Sequence, residues 1–537
     1  MSTPWTPPIE LSPREERLCR KLEKHRRFFR FLRLHRHELF ADGFEAKLLA
    51  LYSDKPRGTR PKPPALLTLV LLLQAFTGAS DDDAVQLAET DARWQLVLDC
   101  LGQEEAPFGK STLVDFRSRL VRAGFVTELL RRTSDLARSS GDFDPKKVAQ
   151  LKVAIDSLPL SGAGRVEDTL NLLARALRLL VTALAAALAL SPEQIYAQAH
   201  LRILAAKSPK SGLDRDWDEP GAMDSALTDL MQEVSQLQAW VRTQHPEALH
   251  LRTVAQAQEQ LQKLIAQDTE PCGSGGHRVV QLVAPDRQLS LFDPEMRHGR
   301  KSKTERIEGY KVYLAEDLEA AVTLAAGVLP ANQAEKDGAD KLREAVEAQG
   351  EVAELHIDRA FLASRWTREL AARKPGAVVS RAPRVKKTER YQKSDFELDL
   401  VAGKVVCPEG QQAPIRQVGE KRWASFPAAT CRACPALLRC EGKTNRPGRQ
   451  VDILPHEELL QQVRPAAKTA EGRARLRQRV RVEHANARYA RLSRGRARYV
   501  GVAKNDFDAG RIAAANNLMA LDRKLRAKEQ RPLQAAA

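Results

Sequence analysis

A short apolar run, residues 152–160 (KVAIDSLPL), constrains this chain most. Its length and its proline and glycine boundaries are those of a buried strand, yet Asp156 sits in its middle. Helical patterns precede it, a long helical stretch follows, and only then do further strand patterns arrive. Residues 309–317 (GYKVYLAED) and 320–330 (AAVTLAAGVLP) read as two paired strands, and 332–349 as a helix. Residues 352–358 (VAELHID) read as a strand ending at Asp358, 361–373 as a helix, and 376–381 (GAVVSR) as another strand. This order predicts an α/β chain: a mixed sheet with a large helical insertion after its first strand.

At 537 residues the chain has room for about three or four units. The predicted organisation begins with a helical N-terminal unit, 1–137. A sheet core follows in two pieces, 150–165 and 277–383, around the helical insertion 166–276. A small cysteine-containing insertion, 384–465, precedes basic helices, 466–524, that complete the core. In the N-terminal unit, 65–76 reads as a helix ended by Gly78. Ser80 and the acids Asp81, Asp82 and Asp83 start the next helix. Ser111 or Thr112 can cap a third, which carries Leu113, Phe116 and Leu120 on one face and Arg117, Arg119 and Arg122 on others. Such a unit is either a helix-turn-helix reader of DNA or an ordinary bundle with a solvated charged face.

The net charge is +17, which favours a polyanionic partner, although a basic enzyme without one has the same composition. The charge is concentrated. Residues 14–36 hold ten Lys or Arg against three Glu, and 471–504 hold eleven against Glu471 and Glu483. Each run is a phosphate-tracking surface or a solvated face. Residues 1–10 (MSTPWTPPIE) lack the basic start and apolar core of a secretory leader. The apolar stretches 65–76 and 179–190 are shorter than the roughly 20 residues a membrane helix needs. Seven cysteines are too few for a disulfide scaffold. A reduced, cytoplasmic protein is expected.

Three carboxylates are chemically odd for their settings. Asp156 lies in an apolar strand, Asp358 ends another, and Glu483 lies in an otherwise basic helix. A carboxylate inside a sheet needs a compensating cation. A divalent metal compensates several at once and keeps positions for phosphate oxygens. Read one by one, the same residues are turn or cap aspartates and a solvated ion-pair glutamate. Cys407, Cys431, Cys434 and Cys440 fall within one short segment and include a Cys-x-x-Cys turn. That spacing suits a closed structural zinc site of four thiolates, with free thiols or a disulfide as alternatives. His456 is an outside candidate ligand.

Several segments together resemble the DDE transposases of bacterial insertion sequences, in particular the "eleven-eighty-two" group. They are ASDDDAVQLAETDARWQLVLDCLG (79–102), FGKSTLVDFRSRL (108–120) and IDSLPLSGAGRVEDTLNLL (155–173). APDRQLSLFDPEMRHGRKSKTERIEGYKVYLAED (284–317), HIDRAFLAS (356–364), RVRVEHANARYARLSRGRARYVG (479–501) and NNL (516–518) complete the set. The resemblance implies an RNase H-like core with Asp156, Asp358 and Glu483 as its acidic triad, holding two Mg2+ or Mn2+ ions. It implies cleavage at the element ends and strand transfer into target DNA, on double-stranded terminal inverted repeats held by a homodimer. The compartment it implies is the nucleoid-associated cytoplasm. Lys301, Lys303, Lys311, Arg479 and Arg481 are candidates for phosphate contacts. The group shares the Cys-Pro and Cys-x-x-Cys-Pro pattern, in keeping with structural Zn2+. The group's second-aspartate turn usually carries small residues and a tyrosine, whereas Asp358 is followed by Arg359, Ala360 and Phe361, and Leu476 stands where related enzymes have a tyrosine before the glutamate. The alternative is a decayed or repurposed transposase that binds DNA without cutting it.

Overall fold

The computed structural model describes residues 4–23, 27–41, 43–52, 60–139, 150–273, 275–282, 284–301, 304–381, 388–440 and 448–535. The chain is mixed α/β, with a helical N-terminal part and a sheet core. Five strands form the core: β1 (Gln150–Ser161), β2 (Arg306–Asp317), β3 (Val322–Pro330), β4 (Glu351–His356) and β5 (Val378–Val379). Their order is β3-β2-β1-β4-β5, and a short strand, Arg297–Arg300, pairs with the beginning of β2. β2 runs antiparallel to both β1 and β3, whereas β4 and β5 run parallel to β1. The expected hairpin of the second and third strands is therefore present, and the last strand shrinks to two residues.

The central strands are buried on both faces, so they read as near-continuous apolar runs rather than alternating ones. The helix Glu335–Glu347 covers one face. Its Gly338 is explained by close approach: a Cβ there would lie 2.1 Å from the Tyr313 ring. The long C-terminal helix, Val502–Ala535, covers β3 and packs on the N-terminal helices Pro64–Thr77 and Val126–Arg138. Its polar side chains finish the sheet edge. Asn517 accepts from the Thr323 N–H at 2.8 Å and donates to the Thr323 carbonyl at 2.9 Å, and Asp506 accepts from the Val328 N–H at 2.7 Å. One amide and one carboxylate from this helix thus cover part of the outer edge of β3, where another strand would otherwise pair. One continuous apolar core joins the N-terminal helices, the sheet and the C-terminal helix.

Residues 14–36 contribute to the helices Pro13–Leu22 and Arg27–Phe40, and their arginines are not all at the surface. Arg33, 1% exposed, donates to Glu15 at 2.6 Å and to the Ile9 and Glu10 carbonyls. Arg36, equally buried, donates to Asp99 and to the carbonyls of Pro8, Leu96 and Val97. Ser80 caps the helix Asp81–Thr90 through a reciprocal pair with Asp83. The next helix, Lys110–Arg122, begins after Gly109 with no side-chain cap, against the expectation for Ser111 or Thr112. Its Arg117 grips Asp81 with both terminal nitrogens, at 2.8 and 2.7 Å, so that arginine is a structural clamp between two helices.

The insertion after β1 has an apolar core of its own. Its helix Thr169–Leu188 is 20 residues long and apolar enough to cross a membrane, longer than the 179–190 run suggested; 56% of its window is buried inside the protein. The cysteine-containing segment is a five-stranded antiparallel meander from Glu397–Asp399 to Gln450–Ile453, built around Phe396, Val405 and Phe426.

Candidate active site

Asp156 and Asp358 are brought together by strand register. Ala154 pairs with His356 in the parallel ladder of β1 and β4. Asp156 stands two residues further along β1 and Asp358 two residues past the end of β4, which puts the two at one level of the sheet. Neighbouring strands lie about 4.8 Å apart, and the Asp358 charge acts on Asp156, more weakly than burial or Arg479 does.

Glu483 comes from the helix Val480–Ser493, which packs across β1. Val482, Ala154 and Leu318 form a small buried cluster that seats the helix one residue before the glutamate. Arginines pin the approach. Arg475, in the preceding helix, donates to Glu354 of β4 at 3.3 Å and to the Gly376 carbonyl at 3.0 Å. Beyond the helix, Ser161 at the end of β1 pairs with the returning chain, donating to Gly495 and accepting from Ala497. Both ends of the glutamate helix are therefore tied to the sheet.

The three carboxylates line one open cleft of about 1250 Å³ together with Lys301, Lys311, Arg306, Glu335 and Asn486. Asp156 is half-buried, and both its oxygens are taken: Arg479 donates to Oδ1 at 2.8 Å and Asn486 to Oδ2 at 2.9 Å. Burial pushes the Asp156 carboxyl up, Arg479 pulls it down, and the Asp358 charge pushes it up again. Asp358 is exposed at the end of β4. Glu483 is 58% exposed and lies 4.0 Å from Arg479. Among the described residues no group of three or more His, Cys, Asp or Glu side chains is drawn in to metal-holding spacing. Both Asp156 oxygens are engaged by Arg479 and Asn486. The donor set itself suits a hard divalent cation: three carboxylates from three elements, two of them repelling each other across neighbouring strands.

The phosphate-contact candidates fall into different settings. Lys301 lies exposed on the cleft wall, 3.9 Å from Glu305. Lys303 is outside the described residues. Lys311 also lines the cleft, but its ammonium is spent on Glu335 and the Gln333 carbonyl, each at 3.0 Å. Arg479 holds Asp156, and Arg481 is exposed on the glutamate helix. Asn486 is the residue that sequence reasoning missed. Its signal is helical spacing: Arg479, Glu483 and Asn486 stand at i, i+4 and i+7, one face of a helix.

Cys407, Cys431, Cys434 and Cys440 line a single cavity of about 30 Å³, room for a water-sized occupant. No disulfide joins any two of the four, so the disulfide alternative falls away. The Gln411 N–H points at Cys407 Sγ, 3.3 Å away, in a turn closed by Gly410. His456 is not part of this cavity.

Residues 406–521 match the family described as Transposase DDE domain, and residues 16–119 match the Transposase domain (DUF772). Glu483 lies within the first range; Asp156 and Asp358 lie outside both. No curated protein and no solved structure matches the chain.

Proposed function

Starting from the DDE transposase of insertion-sequence type that the two domain matches indicate, we propose that this chain cuts insertion-sequence ends and joins them to target DNA at the Asp156–Asp358–Glu483 cleft. The observation that carries the reading is convergence: residues from β1, the end of β4 and a late helix, 327 positions apart from first to last, line one cleft. The strand order, with two antiparallel strands beside three parallel ones, supports an RNase H-like core.

Asp156 and Asp358 are suited to share Mg2+ or Mn2+, with Glu483 completing one ion's ligands. When bound, such ions supply Lewis-acid stabilisation of charge building on phosphate oxygens. The chain supplies position. The strands fix the two aspartates, the glutamate helix sets the depth of the cleft, and Lys301 and Arg481 offer charge to DNA phosphates. Hydrolysis forms one P–O bond to water and breaks another, releasing a 3′-hydroxyl. Strand transfer then exchanges that hydroxyl for one in target DNA, again one P–O bond for another. Neither step needs a protein nucleophile or a high-energy cofactor. Two ends must be held at once, so a homodimer on double-stranded DNA in the nucleoid is the working assembly. The four cysteines are suited to a structural Zn2+, and the N–H···S contact at Cys407 is the kind that supports a thiolate ligand.

The test is a mobility assay in cells, with a marked element carrying its native ends beside wild type, Asp156→Ala, Asp358→Ala and Glu483→Ala. Movement with wild type, lost in all three variants while folding and DNA binding persist, is the expected result. Full activity in any one variant removes that residue from the triad. A silent wild type that still binds the ends points to a repurposed DNA-binding protein.

A further inference from the structure

The helix that carries Glu483 also occupies both oxygens of Asp156. Arg479 holds Oδ1 and Asn486 holds Oδ2. These two contacts differ in kind. The Asn486 amide is neutral, and its own Oδ1, buried on the cleft wall, has no hydrogen-bond partner. The Arg479 guanidinium is a cation between two of the three acids, with Nη2 on Asp156 Oδ1 at 2.8 Å and Nη1 4.0 Å from Glu483.

A divalent ion and a guanidinium cannot share one carboxylate oxygen at contact distance without strong repulsion. The neutral amide has no such conflict and can keep the carboxylate oriented. Arg479 has a better use once displaced, because its planar fork matches a phosphate.

We propose that Arg479 is a latch on the metal site: it holds Asp156 while no ion is bound, and DNA phosphate takes it over when the cleft is loaded. Asn486 is the positioning residue that keeps Asp156 aimed throughout. The proposal rests on the metal-dependent reading above. Its consequence is a linkage. Metal and DNA each remove what opposes the other, so each tightens the other by the same factor. An ion alone meets a closed latch, and the site completes itself only with substrate present.

The test titrates full-length protein with Mn2+ and reads the free ion by electron paramagnetic resonance, with and without a short DNA duplex. Arg479→Gln is expected to tighten Mn2+ about tenfold without DNA, the weight of one charge-assisted hydrogen bond. Arg479→Lys, which keeps a cation there, is expected to stay close to wild type. The duplex is expected to tighten Mn2+ in wild type and to have little effect in Arg479→Gln. Asp156→Asn, which should abolish tight binding in every background, tests the metal site itself. If Asp156→Asn abolishes binding but Arg479→Gln leaves Mn2+ affinity unchanged or weaker, the latch is wrong and the metal reading stands. A duplex without effect on wild-type Mn2+ affinity overturns the hand-over even if Arg479→Gln does not fold. Mn2+ bound by neither wild type nor Arg479→Gln overturns the latch and the metal reading together.

Discussion

Arg488 places Nη2 2.8 Å from Oε1 of Glu316, a carboxylate with no exposed surface on strand β2. Thr323 donates to the other oxygen at 3.0 Å. Burial pushes the Glu316 carboxyl up and Arg488 opposes it. Arg488, five residues beyond Glu483, is therefore a strut between helix and sheet rather than a free phosphate contact. Arg488→Ala should cost about 3–5 kcal/mol, because it strands a buried charge. Arg488→Met with Glu316→Leu should recover most of that. Denaturant unfolding of the single and double variants checks both. An Arg488→Ala protein as stable as wild type would remove the strut.

Asp81 gives a pH prediction. Burial pushes its carboxyl up, but the Arg117 fork and the Gln74 amide outweigh burial and hold it at about 2. The folded value lies below the unfolded one of 3.8. Stability from this pair is therefore present above pH 4 and lost as pH falls towards 2, with a size of about 2 kcal/mol. Unfolding free energies of wild type and Asp81→Asn should differ by that amount at pH 7 and converge in acid. A gap that stays constant with pH would contradict the assignment.

Asn517→Ala should destabilise by about 2–4 kcal/mol, since it orphans both backbone groups of Thr323 on a buried strand edge. Hydrogen exchange reads this directly. The Thr323 amide should lose protection in the variant, while amides of β1 and β4 change only through the global loss of stability. Undiminished protection at Thr323 would show that Asn517 does not finish the edge.

Elemental analysis should find about one zinc per chain, as a single closed site implies. Cys434→Ser should lower it. Chelation should unfold the Glu397–Ile453 meander while leaving the main sheet intact, because the two have separate apolar cores. Metal content equal in wild type and Cys434→Ser would end the four-cysteine assignment.

The sheet was legible in the sequence because its strands are short, apolar and bounded by turn residues. The aspartates stood out for the same reason, as charges where apolar side chains were due. Charge runs were not legible in that way. Arg33 and Arg36 count as positive surface in any tally, yet their partners, Glu15, Asp99 and five backbone carbonyls, come from other helices and loops that no local pattern connects to them. Arg117 was misread similarly, since its partner Asp81 serves locally as a first-turn acid. Asn486 was hidden because an amide in a helix is unremarkable until the strand beneath it is known. The β5 strand shortened because only Val378 and Val379 reach the ladder of β4.

The helix side chains that cover the edge of β3 set an order of events during synthesis. That strand is made some 190 residues before Asn517, which finishes its edge, and until then the outer edge of β3 is open to any other strand. The core closes only when the last helix leaves the ribosome and returns to the first helices. A chain cut between Glu483 and Asn517 by a frameshift or an early stop would keep all three carboxylates and still not assemble the cleft. Its loss would come through aggregation and proteolysis.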